Sequence, residues 1–119
     1  MSKIVQAVNA MISNPDNITK VLKGNDEYFF SYKDKYSWSM SRREDEHVLW
    51  FYPNITHIEE LASYEGHEWE DVNMVTYKDS EIGTREARAS FAELFTLLKE
   101  KVFGVNKVLD DIISDALPF

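Results

Sequence analysis

The sequence predicts an α+β fold, a twisted antiparallel sheet of about four strands (27–32, 36–41, 47–52 and 72–78) with N-terminal helices and two C-terminal helices packed on it. Three observations carry this expectation. Apolar residues recur at helical spacing toward both ends of the chain and at a spacing of two in its middle. Ten of the 16 aromatic residues fall on the proposed strands, where rings suit a pleated, half-buried surface. A length of 119 residues, with 44% hydrophobic and 29% charged, suits one domain spanning 1–119 that needs no staple to fold.

Taken in order, Ile4, Val5, Val8, Met11 and Ile12 follow Ser2, a good N-cap, and predict a helix over 3–13. Asn14 and Pro15 suit the cap and first position of a second short helix, with Ile18, Val21 and Leu22 on one stripe and Gly24 as its stop. From Glu27 the period becomes two. Tyr28, Phe30 and Tyr32 form one strand face, and Tyr36, Trp38 and Met40 alternate with Ser37, Ser39 and Ser41. The Lys33-Asp34-Lys35 connection lacks glycine, so a loop of three or more residues is expected there. Past the polar tip at 42–46, the run from His47 to Tyr52 completes a meander that Pro53 ends.

Thr56 and Glu59 have the spacing of a capping box and predict a helix from His57 to Ser63. Val72 to Lys78 supplies a fourth strand. After Gly83, the residues Ala87, Phe91, Leu94, Phe95, Leu98 and Val102 form the stripe of a long helix that Gly104 stops. Val105, Val108, Leu109, Ile112, Ile113 and Ala116 mark a last amphipathic helix ahead of Leu117-Pro118-Phe119. Trp38 and Leu94 are expected in the core between sheet and long helix. Phe29, Phe51 and Tyr77 are expected under helical cover on the other sheet face, the alternative being an exposed partner patch.

This element order, with the small size and acidity, is similar to that of the bacterial type III secretion chaperones, acidic proteins that run helix, three strands, helix, two strands, helix. The resemblance implies a fold of that general kind. The sequence departs from it where a fifth strand should precede the final helix.

The formal net charge is -8, and all of the excess lies in the second half. Glu59, Glu60, Glu65, Glu68, Glu70 and Asp71 follow one another without an intervening Lys or Arg. They are the candidate partner-binding residues, a docking surface for a protein of basic character, and the plain alternative is a solvated face that keeps the chain soluble. No nucleic-acid partner is expected, because phosphates are repelled by this charge. Lys33, Lys35, Arg42 and Arg43 at the hairpin tips form a small local exception.

The absence of cysteine excludes disulfides, Cys-ligated zinc, iron–sulfur clusters and thiol nucleophiles. His57, His67, Glu68 and Asp71 lack any metal-ligand spacing, and the four glycines stand too far apart for a phosphate-cradling loop. No metal and no cofactor are therefore expected. The absence of a long apolar run argues against a membrane and for a cytoplasmic location. The resulting expectation is a small acidic, non-catalytic protein-interaction factor, a bacterial or phage accessory of the toxin-neutralising or secretion-chaperone-like kind. The alternatives are a nucleic-acid mimic that occupies a DNA-binding protein and a small carboxylate-dependent hydrolase. A homodimer stays open.

Overall fold

The computed structural model describes residues 2–116. The Ser2 hydroxyl accepts the Val5 amide at 3.4 Å and starts α1, Lys3–Ser13, which buries Val5, Val8 and Met11. A 3-10 turn at Pro15–Asn17 leads into β1, Ile18–Lys23. The helix expected to begin at Asn14 is thus a strand. Its apparent helical stripe has a different cause: a bulge between Ile18 and Lys20 sets Ile18 opposite Tyr32 and Val21 opposite Phe30, so residues three apart share one sheet face. The β-branched Ile18, Thr19 and Val21 also favour extended backbone.

The sheet continues through β2 (Tyr28–Tyr32), β3 (Tyr36–Arg43), β4 (Glu46–Tyr52) and β5 (Val75–Lys78). Five strands pair in sequence order, each antiparallel to the next, so β1 is the addition to the four expected. It lies ahead of the meander, whereas the secretion-chaperone order places its extra strand after the middle helix. β5 is shorter than 72–78 because the Val72 amide bonds the Trp69 carbonyl and its side chain packs on the second sheet face. Between β4 and β5 run α2 (Ile58–Ser63) and a 3-10 helix at Gly66–Asp71, and after β5 come α3 (Asp79–Ile82), α4 (Arg85–Phe103) and α5 (Val105–Ala116).

Helices α1 and α4 cover one face. Val8, Met11, Phe30, Met40, Leu49, Phe91, Leu94 and Leu98 meet there with almost no exposed surface. The Ser90 hydroxyl donates to the Asn9 side-chain oxygen at 2.6 Å and ties the two helices together. On the other face Phe29, Tyr52, Ile58 and Leu61 form a second core, with Leu22, Trp50, Ile55, Tyr64, Trp69 and Val72 around it. The buried Ser37, Ser39 and Ser41 line β3 on this face. Small side chains leave room for the large rings above them.

Two expectations change here. Residues directly opposite across a strand pair share a face, and Phe51 pairs with Trp38 while Tyr77 pairs with Leu49. Phe51 and Tyr77 therefore belong to the α1 and α4 face, and only Phe29 of that trio lies on the second one. Leu94 is fully enclosed, but Trp38 is half-buried between Phe30 and Phe51, with centroids at 6.3 and 4.8 Å. The helical layer ends short of this corner, where Tyr36 and Val75 are exposed.

Candidate interaction surface

The six predicted docking carboxylates lie on the layer that covers the second face. Glu59 and Glu60 occupy the first turn of α2, Glu65 caps the 3-10 helix, and Glu68, Glu70 and Asp71 lie within it. All six are exposed, yet four already serve local structure. Glu59 is bonded by Lys20 of β1, which lowers its pKa, and Glu60 accepts the Tyr64 hydroxyl at 2.6 Å. Glu65 and Glu68 form a reciprocal capping box. That box replaces the one expected at Thr56, because His57 is the N-cap of α2 and makes no side-chain bond there. The segment is thus partly a scaffold and partly a negative field.

The basic hairpin tips do not combine. Lys33 and Lys35 flank the start of β3 and Arg42 and Arg43 close its far end, about 20 Å or more away at the rise of a strand. Among the described residues no three His, Asp or Glu side chains converge on a metal position. No described helix is long and apolar enough to cross a membrane.

Two groups that sequence reasoning passed over are held by the fold. Asp79, at 2% exposure, accepts the His47 amide at 3.0 Å and faces its ring nitrogen Nδ1 at 3.4 Å. The His47 ring also packs on Phe95, with centroids 5.3 Å apart. A buried carboxylate that satisfies a backbone amide and a ring nitrogen anchors the entry to α3 against β4. The second group is a hydroxyl pair on the other face. Ser39 and Tyr52 oxygens are 2.7 Å apart. Burial raises the pKa of Glu27, with the Ser39 hydroxyl and the Arg43 charge pulling it back. Burial likewise pushes the Tyr52 phenol up, so Tyr52 stays protonated within this hydroxyl pair.

The most conspicuous surface is α5. Gly104 ends α4 with a left-handed φ of 63°, a conformation glycine adopts without strain, and α5 leaves in a new direction. From Asn106 to Ala116 every residue is exposed, including Val108 (53%), Leu109 (49%), Ile112 (59%) and Ile113 (59%). These recur one helical turn apart and make an apolar face that no described element covers. Phe103, 55% exposed at the end of α4, adjoins it in sequence. The radius of gyration is 15.7 Å, against about 13.5 Å for a compact chain of this length. The longest extent is 56 Å, beside 34 and 27 Å, as a projecting element requires. Periodicity showed that α5 is amphipathic; that its apolar face would be left open was not legible from it.

Compared with known proteins, the chain matches no family model, no curated protein and no solved structure. The fold and surface therefore define the class by themselves: an α+β domain, sheet covered on both faces, whose amphipathic α5 is covered by no other described element.

Proposed function

We propose that the protein is a non-catalytic interaction factor that works by inserting α5 into an apolar groove of another protein. The observation that carries this is the open face of Val108, Leu109, Ile112 and Ile113. A helix of 12 residues is marginal in water by itself, since isolated helices of about 12–15 residues barely form. Amphipathic stripes of this kind gain their stability from a surface that covers them, and the spacing of anchors at i, i+1, i+4 and i+5 suits helix-in-groove docking.

Charge selects the partner. Asp111 and Asp115, one turn apart, stand on one side of the apolar face, and Asp110 stands on the other. An antiparallel two-fold pairing of α5 with a second copy would set the Asp111 and Asp115 flank beside its own equivalent, and each copy already carries -8. Like charges so placed oppose self-association. A groove rimmed by Lys or Arg complements the same flank, and the exposed carboxylates of 59–71 extend the attractive field that steers encounter. A cytoplasmic basic partner fits this reading. The nucleic-acid-mimic alternative has less support, because α5 presents hydrocarbon where a phosphate mimic needs charge.

Photo-cross-linking tests the reading in cells. A photoreactive residue at position 112 should give one discrete heterologous adduct, and the same residue at 107 or 110, away from the apolar face, should give little. Equal adducts at all three positions would show that α5 is merely accessible, and an adduct of twice the chain mass would assign the face to a second copy.

A further inference from the structure

The second sheet face carries a cavity that α5 does not reach. It is an open cleft of about 480 Å³ between the β1–β2 turn, the end of β3, α2 and the 3-10 helix, a size in the range of small-ligand pockets. The close turn that shapes it needs Gly24, whose amide bonds the Glu27 carbonyl at 2.7 Å. A Cβ there would stand 2.9 Å from the Phe29 ring.

Its aromatic wall is made by Phe29, Tyr64 and Trp69. Tyr64 meets Trp69 edge-on at 86° with centroids 5.6 Å apart, and Phe29 lies parallel to Trp69 at 6.0 Å. With Tyr52 tilted against Trp69 at 6.2 Å, these rings form an aromatic corner at the cavity wall. Beside it stand Glu27 and Asp26. Two cations also line the cavity, but each is drawn to another ring. Lys23 Nζ sits 5.5 Å from the Phe103 centroid and the Arg43 guanidinium 5.1 Å from that of Trp50. Glu27 is partly withdrawn from water, and among the described residues its carboxylate forms no ion pair. Continuing the register past Tyr28 and Met40 places Glu27 opposite Ser41, whose buried hydroxyl has no hydrogen-bond partner among the described residues.

An aromatic corner next to two carboxylates, neither of them in an ion pair among the described residues, has a defined complement. The ring quadrupole attracts an organic cation, the carboxylate neutralises it, and alkyl groups on the nitrogen fill the apolar wall. A divalent metal does not fit, because among the described residues no third carboxylate or imidazole converges with Asp26 and Glu27. We propose that this cavity binds an alkylammonium group, held by the Trp69 and Tyr64 rings and by the Glu27 carboxylate. The group can come from a free small amine or from a lysine side chain of a protein. This site stands independently of the docking of α5.

Titration followed by amide and indole NMR of the whole chain tests it, with choline as the free-amine probe and N-acetyl-trimethyllysine amide as the protein-borne one. Saturable shifts are expected at the Trp69 indole N–H and confined to 23–29 and 61–69, with the probe that binds more tightly naming the source. Glu27→Gln removes the charge at nearly constant shape and should weaken binding about tenfold or more. Tyr64→Leu, at a half-exposed position, provides a second variant should the first fail to fold, and it should weaken binding as well. The neutral isostere 3,3-dimethylbutan-1-ol should give no comparable shift. Absence of shifts from both amines at about 50 mM, well above millimolar affinity, would overturn the proposal. So would equal binding of the neutral isostere, unchanged affinity in the variants, or shifts produced instead by inorganic phosphate, which would give the cavity to Lys23 and Arg43.

Discussion

Replacing Phe91 by Ala should cost about 3–5 kcal/mol of folding stability, the range for removing a fully enclosed aromatic side chain. Phe91 has no exposed surface and lies in the cluster where α1, α4 and the central strands meet, with Met11, Phe30, Met40 and Leu94 around it. Truncation there leaves a cavity bounded by two helices and a sheet that cannot close onto it together. A small domain has only about 5–15 kcal/mol in total, so the variant should be marginal at 37 °C. Urea melts should show the midpoint falling with an unchanged slope. A loss under about 1 kcal/mol would mean that α4 does not seal this face.

The second large effect concerns binding. Changing Leu109 and Ile112 together to Asp should weaken association with the partner about a hundredfold or more, because buried apolar anchors at the centre of an interface each carry about 2 kcal/mol or more. Both side chains are about half or more exposed in the isolated chain, so its own stability should change by less than about 1 kcal/mol. This separation of binding from stability distinguishes a docking face from a piece of core. A fall in stability as large as that of Phe91→Ala would show that α5 is already packed, as it would be in a stable homodimer.

Much of the fold is legible because period and punctuation agree. The stripe of Ala87, Phe91, Leu94 and Leu98 behind the Thr84 cap, and the alternation of Tyr28 with Phe30 and of Trp38 with Met40, each allow one structure. β1 departs from the helix its spacing predicts for a physical reason. The bulge at Thr19 lets a strand place Ile18 and Val21 on one face, which at the level of spacing looks helical. Phe51 and Tyr77 were set on the wrong face because parity alone does not say which strand pairs with which. Less of the candidate sites could be foreseen. The six carboxylates of 59–71 advertised themselves by charge, but their bonds to Lys20, Tyr64 and one another depend on tertiary placement. Glu27, Arg43, Tyr64 and Trp69 come from four separate segments and meet only through the fold. Asp79 and His47 are joined across 32 positions, without a local signal that a sequence pattern could carry.

Hydrogen exchange of the α5 amides, in the isolated chain and in complex with the protein cross-linked through position 112, is the most direct test of whether this helix exists to be covered. Amides protected only by an isolated helix open with little free-energy cost, whereas those of a packed core open near the global limit. Residues 106–116 should exchange quickly in the free chain, far faster than the core-facing turns of α4, and should become strongly protected in the complex while the sheet changes little. Protection of α5 equal to that of α4 in the free chain, or a complex that protects 59–71 and leaves α5 exchanging as before, would contradict the assignment of α5 as the docking element.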